Sequence, residues 1–400
     1  MTAEDDLLPP PDASPSPQRT RIAIVGAGLS GLYAAWRLQQ LGVRDVVLLE
    51  ARDAPGGRIL CVDPAGRPVA LGAPGSAGAD RFDLGPTWYW PGVQPQLDAL
   101  VDTLGLQRFA QHEDGDMVVE RSPHEPPAHV RGYPSEPPSM RLVGGMGALI
   151  EALYHRLTPG HVLTAQAVRR LGIIDDVVEV HAVHDGGGGT VWRVDHVLCA
   201  LPPRLMIDRI DFAPALPAAL ARRWRATDTW MAPHAKYLAV YPTPFWRAQG
   251  LSGEARSARG PMAEIHDASM PGGHAALFGF LGVPARVRLG VAEDVLRAHC
   301  RAQLGRLFGP QALTPVADVI KDWAADACTA TDADLDGGGQ HPEPPPTGAD
   351  GGPWHGRLTG IGSEWSPRFP GYLAGAVDAA ERGVRAWLTS AGVSAAPLRP

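Results

Sequence analysis

The chain has 400 residues, 44% of them apolar, and a net charge of −7. That length carries two domains, or one with a second inserted, and the apolar share fills a sizeable core. An acidic balance without a basic run excludes a nucleic-acid backbone as partner. Cys61, Cys199, Cys300 and Cys328 are too scattered for a metal site or a disulfide framework, so no metal is expected and a reducing, cytoplasmic setting fits.

In chain order, residues 1–20 are acidic and rich in Pro and Ser, and they read as a disordered tail. They lack the basic start and apolar stretch of a secretory signal. No apolar run reaches the roughly 18 residues needed to cross a bilayer, and no membrane anchor is expected. Ile22–Val25 is a continuous apolar run, the mark of a strand covered on both faces. Leu29, Leu32, Ala35, Trp36 and Leu38 then recur near helical spacing, and Val46–Leu49 is a second strand. Together they make a βαβ unit. Residues 61–82 are rich in Gly, Ala and Pro, which predicts a loop or loose hairpin. A helix is predicted over 96–106, little periodicity over 112–139, and a helix after Met146. Strands are predicted through 161–199 with a Gly turn at 186–189. Further strands are predicted at 234–241 and 275–283, and a helix at 291–307. Residues 334–354 read as a surface loop, followed by a short strand at 358–361 and a helix over about 375–388.

Gly26, Gly28 and Gly31 form G-x-G-x-x-G between the first strand and the helix. The first permits the tight turn, the second lets the backbone approach a pyrophosphate, and the third lets helix and strand pack closely. The helix N-terminus then offers free N–H groups to the phosphate. Glu50 closes the second strand, where a carboxylate can accept from both ribose hydroxyls. This motif alone does not choose between NAD and FAD. Gly56, Gly57 and Arg58 follow at once; paired glycines allow a second close approach, and Arg58 either pairs with the pyrophosphate or is a solvated surface arginine.

From here the chain resembles the flavin-containing amine oxidase family over roughly residues 21–390. The blocks "IAIVGAGLSGLYAAWRL", "VVLLEARDAPGGR", "FDLGPTWYW", "LVGGMGALIEAL", "VLCALPPR", "HAKYLAVYPTPFWR" and "IGSEWSPRFPGYLAGAVDAAERG" stand in the family's order. The resemblance implies an α/β fold: a Rossmann-type FAD-binding domain with an interleaved substrate domain built on a mixed β-sheet with helices. The FAD-binding domain would take 21–93, 141–214 and 323–400, and the substrate domain 94–140, shortened, and 215–322. It implies that Ser30, Gly31, Glu50, Arg52, Gly57 and Arg58 hold the ADP half of FAD. Gly85, Pro86, Thr87 and Trp88 would pass near the flavin ring, and the backbone of Val168 would face the adenine. Gly362, Ser363 and Glu364 would lie near the pyrophosphate and ribityl chain, and Tyr372 and Leu373 beside the isoalloxazine.

Lys236 stands in an apolar strand pattern, on the same face as Leu238 and Val240. The chain otherwise uses arginine for its cations: Lys236 and Lys321 are its two lysines. A buried lysine needs partners and has its pKa lowered; the other reading is a surface lysine on an edge strand. The resemblance implies that Lys236 holds a water against flavin N5. The implied reaction oxidises the C–N bond of a small-molecule amine by hydride transfer to flavin N5. The imine hydrolyses, and O2 is reduced to hydrogen peroxide. Tyr372 would form one wall of an aromatic cage, with Trp88, Trp323 and Trp365 as candidates for others or as core. Trp323 also counts among the expected cofactor contacts.

The chain departs from the family pattern in three places. Cys328 follows Trp323 too closely to match the position where some members attach FAD, so non-covalent FAD is expected. No second cage aromatic stands among residues 327–333. Residues 112–140 are short, which gives a non-catalytic FAD-binding protein as one alternative; the many arginines that could hold a substrate carboxylate give a related L-amino-acid oxidase or flavin desaturase as another. The sequence does not fix the oligomeric state.

Overall fold

A computed structural model describes residues 16–72, 78, 80–184, 186–336, 341 and 343–393. Residues 1–15 of the expected tail lie outside the described residues. So do 73–77 and 79 of the expected 61–82 loop, 185, 337–340 and 342 of the expected 334–354 loop, and 394–400.

The βαβ unit seeds a five-stranded parallel sheet ordered Val162–Leu163, Val46–Leu49, Ile22–Val25, His196–Cys199, Leu358–Gly360. Three of these strands are buried at every position, as a parallel sheet covered on both faces requires. Ile22 and Ile24 face the helices Leu29–Gln40 and Leu373–Ser390, with Leu32, Leu38, Val377 and Val384 between them. Ala23 and Val25 face the opposite side, toward Val180, Trp224 and Trp365. The two helices are tied by Glu381, whose carboxylate accepts from the Tyr33 hydroxyl at 3.0 Å and pairs with Arg37 at 2.9 Å.

A second five-stranded sheet, mixed, contains Ala167–Ile174, Val177–Val183 and Gly189–Val194. A seven-stranded sheet runs Ala317–Asp322, Ala235–Tyr241, Ala275–Leu281, Met262–Asp267, Leu251–Ser257, Asp116–Glu120, Ala128–Arg131. Its strand Ala235–Tyr241 is interior, paired on both sides and buried throughout. The edge-strand reading of Lys236 therefore fails. Alternation holds: Leu238 and Val240 pack with Phe278 and Phe82, while Tyr237, Ala239 and Tyr241 pack with Trp246 and Leu304.

Other expectations are also corrected. Gln18–Arg19 of the expected tail pairs in parallel with Trp192–Arg193. Residues 112–139 contain Asp116–Glu120 and Ala128–Arg131, the first paired in parallel with Leu251–Ser257. Asp116–Glu120 also pairs antiparallel with Ala128–Arg131; both strands are too short to show a clear period. Strands Leu251–Ser257, Met262–Asp267 and Ala317–Asp322 and helices Pro203–Arg209 and Ala218–Arg225 were likewise unforeseen. Cys61–Val62 pairs antiparallel with Phe82–Asp83, in keeping with the loose hairpin expected over 61–82. No described helix is long and apolar enough to cross a membrane.

Candidate active site

A cavity of about 720 Å³ runs from the Gly-rich turn, over the C-terminal ends of the parallel strands, to the seven-stranded sheet. Its size lies in the usual range for ligand sites, about 300–1,000 Å³. At one end Gly26, Gly28, Ser30, Glu50, Arg52, Gly57, Arg58 and Val168 line it; at the other stand Trp90, Trp230, Lys236, Phe280, Trp323 and Tyr372.

The first end fits a dinucleotide. The helix Leu29–Gln40 is capped by Gly28 with no side-chain hydrogen bond, so no cap side chain competes for its first N–H groups. A Cβ on Gly31 would stand 1.9 Å from the Gly26 carbonyl oxygen, so only glycine lets the helix sit this close to the strand. Gly57, at φ +60°, brings the second Gly loop against Gly28; a Cβ there would stand 3.1 Å from the Gly28 Cα. The Glu50 carboxylate is fixed by the N–H groups of Ala27 at 2.7 Å and Arg52 at 2.9 Å. It keeps lone pairs for ribose hydroxyls.

Arg58 lies along the cavity wall and donates to Glu364 at 2.5 and 3.2 Å and to Ser363 at 3.2 Å. Glu364 is fully buried behind it and does not itself line the cavity. The pair leaves Arg58 anchored rather than solvated. Arg52 is held by Asp326 at 2.7 Å. Gly31 and Gly362 are also behind the wall; a Cβ on Gly362 would meet the Leu201 carbonyl oxygen at 2.9 Å.

At the far end Lys236, 2% exposed, donates to the carbonyl oxygens of Asp83 at 3.0 Å and Gly85 at 2.9 Å and meets Thr87 Oγ1 at 2.6 Å. Its ammonium also lies over the rings of Phe278 and Phe280, at 4.0 and 5.6 Å. Burial pushes its pKa down to about 7, against the opposing pull of the Asp83 carboxylate. Burial likewise raises Asp83, whose carboxylate accepts from the Met146 N–H at 2.8 Å and the Cys61 thiol at 3.2 Å.

The aromatic wall differs from expectation. Tyr372 faces Trp230 at 4.9 Å, His341 at 4.7 Å in a stacked arrangement, and Trp90 edge-on at 6.1 Å. None of the three was anticipated. Trp230 and His341 precede Tyr372 by long stretches without periodicity, and nothing in the run "TWYW" separates Trp90 from Trp88. Of the earlier candidates, Trp88 lines the cavity with its indole N–H on Gln111 at 2.8 Å, and Trp323 does so with its own on the Leu84 carbonyl at 3.1 Å. Trp365 is corrected to core: it packs against Trp224 and donates to the Pro346 carbonyl at 3.1 Å. Gly85, Pro86, Ser363 and Leu373 line the cavity, and so does Cys328. All four cysteines are free.

Residues 129–388 match the family described as flavin containing amine oxidoreductase, and residues 24–104 match the NAD(P)-binding Rossmann-like domain. The chain is 24% identical to a probable flavin-containing monoamine oxidase A of Dictyostelium discoideum over 76% of this chain and 83% of the relative. It is 26% identical to a putrescine oxidase of Kocuria rosea over 80% and 86%. A solved putrescine oxidase bound to putrescine superposes with a TM-score of 0.74 at 20% identity, covering 94% of this chain and all of the other.

Proposed function

The chain belongs to the flavin containing amine oxidoreductase family, and from that premise we propose that it is an FAD-dependent oxidase of small-molecule amines, with O2 as electron acceptor. The observation that carries the reading is a single cavity joining the Gly-rich half-site to Lys236 and the Tyr372 wall. We assign segments 21–93, 141–214 and 323–400 to cofactor binding and 94–140 and 215–322 to the substrate side.

Bound FAD would supply the two-electron acceptor for hydride from the carbon bearing nitrogen, with O2 then reduced to hydrogen peroxide and the imine product hydrolysed. The residues of the chain supply the rest. Glu50 takes the ribose hydroxyls, the Val168 backbone the adenine, and the first turn of Leu29–Gln40 the pyrophosphate. Arg58 adds its charge there while held by Glu364. The N-terminus of Leu373–Ser390 stands at the cavity wall, where its positive end would stabilise negative charge on a reduced ring bound there. Tyr372, Trp230 and Trp90 exclude water from the substrate and so favour the neutral amine. Lys236, its three Nζ sites taken by Asp83 O, Gly85 O and Thr87 Oγ1, would act on a water at the reacting face through Thr87. FAD is held non-covalently, although Cys328 borders the cavity.

A panel of amines and L-amino acids tests the reading, with putrescine included because a relative carries that name. Flavin bleaching without oxygen by amines, and peroxide with oxygen, is expected. Bleaching by L-amino acids alone moves the assignment to an amino-acid oxidase or desaturase, and no bleaching by any compound moves it to a non-catalytic flavoprotein. Lys236→Met should keep FAD and slow reduction or reoxidation strongly; unchanged turnover removes Lys236 from the mechanism.

A further inference from the structure

A lysine that exchanges protons inside a protein must keep its hydrogen bonds in both charge states, or one state is penalised by an unpaired group. Lys236 Nζ has three partners: two carbonyl oxygens, which only accept, and one hydroxyl, which both accepts and donates. As an ammonium, Lys236 gives one N–H to each. As a neutral amine it keeps two N–H groups on Asp83 O and Gly85 O, and its lone pair takes the O–H of Thr87. No heavy atom need move between the two states.

We propose that Thr87 is the positioning residue of Lys236 and the conduit for its proton, exchanging it with water in the cavity. The proton leaves Nζ for Thr87 Oγ1 as the hydroxyl's own proton passes to a cavity water. One N–H and one O–H bond break, and two O–H bonds form. The hydroxyl is left pointing at the amine, the water becomes hydronium, and the reverse sequence recharges the lysine. Thr87 is buried yet lines the cavity; Lys236 lines it too, but its Nζ bonds are all taken, and its ammonium lies over Phe278 and Phe280.

The charged and titratable groups around Lys236 bias this exchange without replacing Thr87. Asp83, with Cys61 on its carboxylate, favours the ammonium, and the buried Arg141 opposes it. Lys321, in register on the next strand, is paired with Asp326 at 2.6 Å. His234 also lines the cavity, and Glu264, beyond Phe280, is held by His266 at 2.6 Å. With burial lowering Lys236 to about 7, both of its states are populated at neutral pH.

The inference rests on the amine-oxidising reading only for the use made of the proton. Because the chain has two lysines, lysine labelled with 13C at Cε gives two resonances from the FAD-loaded protein, and Lys321→Arg leaves the one to follow. Lys236 should titrate near neutral pH. Thr87→Val, isosteric without the hydroxyl, should lower its pKa by about one unit, because the charged form loses the stronger hydrogen bond. It should also slow exchange of the Nζ protons with water about tenfold or more. Thr87→Ala removes the same hydroxyl with a different volume and should match it, and Thr87→Ser should restore both values. Wild-type titration and exchange in Thr87→Val and Thr87→Ala, or no restoration by Thr87→Ser, would overturn the proposal. If amines bleach the flavin while Lys236 ignores Thr87, the conduit fails alone; if Lys236 responds to Thr87 but no amine bleaches the flavin, the amine reading fails alone.

Discussion

Replacing Lys236 by Met should change how stability depends on pH. Lys236 titrates near its ordinary 10.5 when unfolded and at about 7 in the folded protein. Between those values the unfolded chain holds a proton that the folded chain does not, so stability rises with pH across that window. The penalty for burying this lysine is complete below the folded value and gone above the unfolded one. Its slope inside the window is about 1.4 kcal/mol per pH unit. Met fills a similar volume and carries no charge. It leaves Asp83 O and Gly85 O without their lysine partner, a penalty of about 1–3 kcal/mol per group, but that penalty does not vary with pH. The stability of wild type relative to Lys236→Met should therefore climb by about 3 kcal/mol between about pH 7.5 and about pH 9.5. Urea unfolding of both proteins at matched free FAD measures it, since groups common to both cancel. A difference that stays flat across the window would refute the burial argument.

The remaining predictions concern the cavity wall. Arg58→Ala strands the fully buried Glu364 carboxylate and should cost about 3–5 kcal/mol in thermal or urea unfolding; Arg58→Ala combined with Glu364→Gln should recover part of it. Tyr372→Ala should lower kcat/KM for the amine by about 5- to 30-fold, the loss of about 1–2 kcal/mol of ring contact, while the flavin absorbance of the purified protein persists. Acid precipitation should leave the flavin in the supernatant; flavin retained in the pellet and lost from it in Cys328→Ser would contradict non-covalent binding.

What the sequence disclosed was local, or carried by an unusual residue. The segment from Ile22 to Arg58 is contiguous, and Gly28, Gly31 and Gly57 each answer a contact made within it. Lys236 was legible because a seven-residue buried strand alternates cleanly and because lysine is rare in this chain. The cage was not legible. Trp230 and His341 reach Tyr372 from separate segments, and only tertiary packing distinguishes Trp230 from Trp365, a tryptophan that sits in the core. Residues 116–120 lacked a local signal because the strand is only five residues long, set between partners at 128–131 and 251–257. Arg58 and Glu364 were both singled out, yet their pairing follows from the fold and not from either motif.

The central claim is that one cavity both holds the flavin and oxidises the amine. Anaerobic titration of the flavin-loaded protein with the best amine of the panel tests it most directly. One equivalent of amine should bleach one equivalent of flavin, and admitted air should restore the yellow colour with one equivalent of hydrogen peroxide. Flavin that stays oxidised under every amine, while remaining bound, would contradict the account.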